Sequence, residues 1–208
     1  MPVNPASRFL SQDEALHGIS TSPHIIWILG DHHQTRENAF AERYKVRCSI
    51  FKTIPHVKHE VSSIKQKFEN EKPTLIWIRL NACAAENGSN GALKRADLIL
   101  HLVKSQLEAS QFVILESTFS CPMLQTTAVS KAIEMIKQHD GVATLHRLCN
   151  YGGFDTDGLP CKASLRLIGN AKLPDAQVCH CGKEWAHHKT SNLPKEVLLK
   201  CIDAIVQK

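Results

Sequence analysis

What is missing narrows the reading of this 208-residue chain first. No stretch approaches the roughly 18 consecutive apolar residues that a membrane-spanning helix needs. The opening MPVNPASRFLSQDEALHG lacks a basic segment followed by an apolar one, so a secretory leader is not expected there. No fixed period runs through the sequence, which excludes collagen-like, coiled-coil and repeat architectures. No block of like charge stands out either. The net charge is +5, but the lysines and arginines are dispersed, and the nearest approach to a patch is Lys65 with Lys67. That leaves a mild bias toward anionic partners and no basic tail. The eight cysteines have no evident disulfide framework. Cys179 and Cys181 are too close for an easy bridge to each other, so thiols or metal ligands in an intracellular protein, cytoplasmic or nuclear, are expected.

What is present is a core. Apolar residues make up 43% and charged residues 22%, and isoleucine, leucine and valine recur in every segment after the first twenty residues, so the chain carries enough apolar surface to fold. Residues 1–22, polar and with Pro2 and Pro5, read as a flexible lead-in. Residues 23–208 read as a single α/β domain. Short continuous apolar runs predict buried strands at 24–29, 74–80 and 112–116, with a more alternating one at 44–51 and two later ones at 142–148 and 164–168. Between them lie helical patterns. A short helix fits 35–43. Val57, Val61, Ile64 and Phe68 share one helix face. Leu93, Ala96, Ile99, Leu100, Val103 and Leu107 form the stripe of the clearest helix, about 92–109. Pro122 suits a first helical turn, with Val129, Ala132, Ile133 and Ile136 carrying the helix onward. A closing helix is expected near 195–206.

Strand and helix alternate at least four times, the pattern of a parallel sheet covered on both faces. The last two strands, joined by a Gly-rich turn, predict an antiparallel pair at the sheet edge near the C-terminus. The fold class expected is therefore a Rossmann-like, mostly parallel α/β sheet with that edge pair; a flavodoxin-like sheet is the competing topology. In such sheets ligands bind beyond the carboxyl ends of the strands. The residues there are Gly30, Asp31, His32 and His33 after the first strand, Asn81, Ala82 and Cys83 after the third, and Glu116 at the end of the fourth. A thiolate can add to an electron-poor ring carbon while a carboxyl group protonates or hydrogen-bonds the ring nitrogen. On residue types alone, Cys83 as a small buried residue and Glu116 as a surface acid is the more natural reading.

The order and neighbours of these residues resemble the cytosine-5 DNA methyltransferases, in the compact, divergent form found in phages and retroelements. The segments that carry the resemblance are WILGDHH, TLIWIRLNAC, FVILESTFSCPML, and LCNYGG followed by CKASLRLIGN, together about residues 24–190. The resemblance implies S-adenosylmethionine as cofactor at a turn containing Gly30 and Asp31, Cys83 as nucleophile, Glu116 as the ring-contacting acid, and nucleic acid as partner. The sequence departs from the family at three landmarks. Ala82, not proline, precedes Cys83. The first turn has Gly30 alone, followed by two histidines. The second strand ends Phe51-Lys52-Thr53, without the acid that holds the cofactor's ribose. These departures point to a domesticated or degenerate member rather than an efficient enzyme, and leave activity itself open.

The segment CHCGKEWAHH is a separate signal. Cys179, Cys181, His187 and His188, with Cys149 or Cys161 brought near by the hairpin, offer the soft and borderline ligands of a tetrahedral zinc site, although the spacing is not that of a standard finger. Trp185 beside them could stack on a base or cover the cluster. Asp31-His32-His33, without distant partner acids, is too small a set for a metallophosphoesterase. Two functions follow: a methyltransferase-like protein of viral or mobile-element type acting on DNA cytosine, or a non-enzymatic nucleic-acid or protein interaction module stapled by zinc.

Overall fold

A computed structural model describes residues 24–30, 46–81, 90–118, 120–147, 164–176 and 195–206. The lead-in 1–22 and the helix expected over 35–43 lie outside the described residues.

Six strands form one sheet: β1 (Ile25–Leu29), β2 (Arg47–Phe51), β3 (Leu75–Arg79), β4 (Phe112–Thr118), β5 (Val142–Arg147) and β6 (Ser164–Gly169), in the order β2-β1-β3-β4-β6-β5. β1 pairs with β2 and β3 in parallel, and β3 with β4 in parallel. β6 runs antiparallel to both β4 and β5. The antiparallel pair stands at the sheet edge as the sequence implies, and within it β6 alone opposes the sheet direction while β5 is outermost. This is a Rossmann-like, mostly parallel α/β sheet with one antiparallel strand near its edge.

The central strands are buried on both sides because IIWIL and LIWIR carry apolar groups at successive positions, so neither face has to meet water. One face packs Trp27, Leu29, Ile76, Ile78, Val113 and Leu115 against α1 (Lys58–Glu71), α2 (Asn90–Glu108) and α3 (Thr127–Gln138). The other packs Ile26, Ile28, Trp77, Ile114, Leu165 and Leu167 against Val197, Cys201 and Ile202 of α4 (Lys195–Val206). Helices thus cover both faces. Val46, Cys48 and Ile50 share the α4 face, as their alternation predicts.

Three sequence expectations shift. The buried stripe of α2 is rotated toward Leu98 and Leu102, leaving Leu93 58% exposed, because α1 packs on the flank that bears Leu98. Pro122 opens a separate 3-10 turn, Pro122–Gln125, and α3 starts afresh with the Thr126 hydroxyl accepting from Val129 N–H. Val57 precedes α1 and is exposed rather than part of its buried face.

Two polar side chains join the elements at the amino end of β4. Gln106 donates to the carbonyls of Pro73 and Phe112. Asn170 accepts from Val113 N–H and donates to Gln111 C=O, continuing the ladder past Gly169. At Gly169 a Cβ would stand 2.3 Å from the Val113 carbonyl oxygen, so only glycine lets β6 approach β4 there. The asparagine and glycine that end CKASLRLIGN thus fasten the sheet at the end opposite the strand exits where a ligand would sit.

Candidate functional site

The chain leaves β1 toward β2 on one side and returns to β3 on the other. The crevice beyond the carboxyl ends of β1 and β3 is therefore the topological switch point, where open α/β sheets hold their ligands. Gly30 stands at this point. Its φ of 81° lies in the left-handed region, and its N–H donates to Phe51 C=O at 2.8 Å, carrying the β1/β2 ladder one residue further. Glycine adopts that turn without steric cost and leaves the backbone open to close approach.

At the neighbouring exit, β3 and β4 are tied together. Asn81 Oδ1 accepts from Thr118 N–H at 3.0 Å and from Thr118 Oγ1 at 3.2 Å. The register sets Arg79 opposite Glu116. Glu116 is not a surface acid: it is 1% exposed and points to the face covered by α4. Its Oε2 accepts from Trp77 Nε1 at 2.8 Å and its Oε1 from Arg79 Nε at 3.0 Å. Both oxygens are thereby oriented in a low-dielectric setting, where charge-assisted hydrogen bonds are strong. Burial pushes the Cys201 thiol up to about 12, and the Glu116 negative charge adds to that push. On β5, burial holds the His146 ring below its ordinary value; its Nε2 lies 2.8 Å from Thr144 Oγ1.

Beyond β2 lies a cavity of about 320 Å³ lined by Phe51, Lys52, Thr53, His59, Glu60 and Ser63, among others. The strand end has no acid, but Glu60 in the first turn of α1 reaches this cavity. An acid is favoured there by the positive end of the helix dipole.

No family model matches the chain, and no curated protein matches it. Among solved structures it is similar to the S. pombe Dnmt2 methyltransferase, at 6% identity over 70% of this chain and 48% of that one, with a TM-score of 0.40. It is similar to the Entamoeba histolytica methyltransferase EhMeth at 9% identity, covering 81% of this chain and 57% of that one, with a TM-score of 0.40. A mutant of Spodoptera frugiperda DNMT2 gives 14% identity, 82% and 57% coverage and a TM-score of 0.38. The chain spans about half the length of these proteins. At such identities the likeness concerns the path of the backbone, not the role of any residue.

Of the residues singled out from sequence at the strand ends, Gly30 just past β1, Asn81 just past β3 and Glu116 on β4 are described. Asp31, Cys83, Cys149, Cys161, Cys179, Cys181, His187 and His188 lie outside the described residues. Among the described residues no three His, Cys, Asp or Glu side chains converge as a metal site. No helix among them is long and apolar enough to cross a membrane. Arg79 escaped the sequence reading because an arginine in an otherwise apolar strand looks like a strand end. Its buried partner becomes visible only through the β3/β4 register. Trp27 and Trp77 are core residues as expected, but each indole N–H also holds a carboxylate, Glu71 and Glu116 respectively.

Proposed function

We propose that the chain is a methyltransferase-like protein that binds S-adenosylmethionine at the β1/β3 switch point and presents Cys83 and Glu116 to a cytosine in nucleic acid. The observation that carries this reading is the tie between the β3 and β4 exits. Asn81 is bonded to Thr118, Arg79 is paired with Glu116, and Cys83 follows Asn81 by two residues in sequence. β3, whose exit Cys83 follows in sequence, and β4, which carries Glu116, are adjacent strands, which a parallel sheet spaces at roughly 5 Å.

The residues present fit the cofactor in two respects. Gly30 leaves the switch-point backbone bare, and Glu60 supplies, from α1, a carboxylate able to accept from ribose hydroxyls at the cavity beyond β2. The cofactor would supply an electrophilic methyl group. Cys83 would add to the ring carbon, and Glu116 would hold or donate the proton at the ring nitrogen. Asp31 beside Gly30 completes the proposed cofactor contacts. The phage or retroelement origin, and the intracellular location, rest on the sequence motifs alone.

One observation favours the non-enzymatic alternative. Both Glu116 oxygens are already taken by Trp77 and Arg79, and the side chain is buried. Reaching a base would mean giving up at least one of those bonds, which agrees with an eroded activity. In that alternative the same sheet serves as an interaction module, and zinc on Cys149, Cys179, Cys181, His187 and His188 holds the C-terminal segment.

Calorimetric titration with S-adenosylmethionine, followed by transfer of labelled methyl to unmethylated DNA, tests the reading. The expected outcome is saturable heat near one cofactor per chain. Any transfer should fall by at least about a hundredfold in Cys83→Ser while the cofactor heat is retained. Absence of heat overturns the cofactor assignment and leaves the interaction module. Elemental analysis of reduced protein decides zinc separately, with well under one zinc per chain removing it.

A further inference from the structure

α1 and α2 lie side by side and enclose a groove of about 340 Å³, floored by Val61 and Leu98. Lys58 and Lys65 line it from α1 and Lys94 from α2, with Asp97 as the one acid among the described lining residues. Lys58 and Lys65 are two helical turns apart on one face, about 10 Å along the axis at 1.5 Å per residue.

Two further observations distinguish this groove from an ordinary solvated surface. Lys67 pairs with Glu71, Lys104 with Glu108 and Lys137 with Glu134, whereas Lys52, Lys72, Lys131, Lys172 and Lys200 share with the groove lysines the lack of an ion pair among the described residues; what is particular to the groove is that three such lysines line one concavity. None of the three groove lysines is ion-paired among the described residues. The second observation is His56. Arg95 Nε donates to Ile54 C=O at 2.9 Å, and Arg95 Nη2 lies 2.9 Å from His56 Nδ1. A guanidinium has only donors, so Nδ1 accepts and the imidazole hydrogen sits on Nε2. The groove is thus lined by ammonium and imidazole donors, with a guanidinium charge behind them. At the next helical turn burial, and then the Lys65 charge, hold the His101 ring below its ordinary value against the opposing charges of Glu69 and Glu108.

We propose that the α1/α2 groove holds the phosphate backbone of a nucleic acid through Lys58, Lys65 and Lys94, without regard to sequence. A single phosphate would be better served by a guanidinium fork turned into the groove, and Arg95 is engaged elsewhere. Ammoniums spread over two turns instead match charges that repeat along a strand. Among the described residues no Phe, Tyr or Trp lines the groove, so it offers no large aromatic platform for a base. The first turns of α1 stand between this groove and the cavity beyond β2, whose lining includes His59 and Glu60. A strand held here would therefore run past the proposed cofactor site. The proposal deepens the nucleic-acid part of the function proposed above, but it rests on its own charge pattern.

The test is fluorescence anisotropy of the full chain with labelled single- and double-stranded DNA of about 20 nucleotides and mixed sequence, titrated with salt from about 50 mM. The triple variant Lys58→Gln, Lys65→Gln, Lys94→Gln should bind at least about tenfold more weakly at low salt. Its log–log salt slope on duplex should be shallower by roughly 2 to 3, close to 0.9 per phosphate contact. A control with the same charge loss elsewhere, Lys104→Gln, Lys131→Gln, Lys172→Gln, should change affinity by about twofold or less. Thermal melts establish that both variants are folded. Wild-type protein that binds no DNA at low salt overturns the proposal, as does a control that loses as much affinity as the groove variant. Competition by inorganic phosphate at about 10 mM as effective as by DNA also overturns it, in favour of a single-phosphate pocket. Cofactor heat is read separately: a groove variant that loses DNA but keeps that heat supports the groove alone, and a chain without cofactor heat that still binds DNA through the lysines overturns only the cofactor reading.

Discussion

Two tryptophan–glutamate–arginine triads sit on opposite faces of the sheet. On the α1 face, Glu71 accepts from Trp27 Nε1 at 2.8 Å and from Arg47 Nη2 at 2.9 Å. On the α4 face, Glu116 accepts from Trp77 Nε1 at 2.8 Å and from Arg79 Nε at 3.0 Å. The bond lengths are nearly the same, but the surroundings are not. The glutamate and arginine side chains are 14% and 59% exposed in the first triad, and 1% and 7% in the second. Water can solvate the Glu71–Arg47 pair and replace either partner. Glu116 and Arg79 have been taken out of water together, at a desolvation cost that their attraction offsets only while both are present. The first triad fastens the end of α1 to β1 and β2. The second fixes a carboxylate near the carboxyl ends of the parallel strands, the end at which open α/β sheets hold ligands.

The largest expected effect follows from breaking each pair at its arginine. Arg79→Met takes the guanidinium away from a carboxylate only 1% exposed and should cost about 3 to 5 kcal/mol in urea unfolding at neutral pH. Arg47→Met removes an exposed partner and should cost about 1 kcal/mol or less. Equal losses would mean that water reaches Glu116, and the contrast between the two triads would collapse.

A sharper comparison replaces each indole. Both tryptophans are fully buried, so Trp27→Phe and Trp77→Phe share a similar loss of volume, and the difference between them isolates the hydrogen bond. Glu71 keeps Arg47, Lys67 and water. Glu116 would keep Arg79 but lose the indole donor in a dry setting, which should make Trp77→Phe more costly by about 1 to 2 kcal/mol. The same urea series reads it, and a difference near zero would show that the Glu116 oxygen finds another donor.

The two triads also show what a sequence discloses. The strands were legible because IIWIL and LIWIR are continuous apolar runs, too short for core helices and bounded by Gly30 and Pro73. The parallel order followed from their alternation with amphipathic helices, and the edge pair from a turn without a helical pattern. Glu116 was legible as a candidate from its place at a strand end. Its partner Arg79 was not, because their meeting depends on the register between strands 37 residues apart. Glu60 was missed for a related reason: the acid absent from the end of β2 is carried by the following helix, whose packing decides that it lines the cavity. The α2 stripe was misplaced because helical periodicity gives a face but not which flank a second helix covers. The groove lysines looked dispersed in sequence, and only the pairing of α1 with α2 gathers them.

The smallest expected effect concerns what each carboxylate does to its neighbours. The Cys201 thiol is raised from 9.0 to about 12, first by burial and then by the Glu116 charge. Below about pH 9 the thiol is protonated in both the folded and unfolded chains, and contributes no pH dependence. Above that the unfolded chain loses the proton while the folded chain keeps it up to about 12, so the native state binds more protons and stability falls as pH rises through this window. The slope approaches 1.4 kcal/mol per pH unit for one such group. Between about pH 8 and about pH 10, wild-type stability should therefore drop by roughly 1 kcal/mol more than that of Cys201→Ala. Glu116→Gln should lower the pH at which the folded thiol begins to ionise, and so close the upper end of this window earlier, without abolishing the drop, because burial is the larger cause. Glu71→Gln, on the other face of the sheet, should leave that window unchanged. Urea midpoints of the single variants and of each glutamine variant combined with Cys201→Ala measure the effect. If Glu71→Gln shifts it as much as Glu116→Gln, the charge acting on Cys201 is the general field of the protein and not the buried triad.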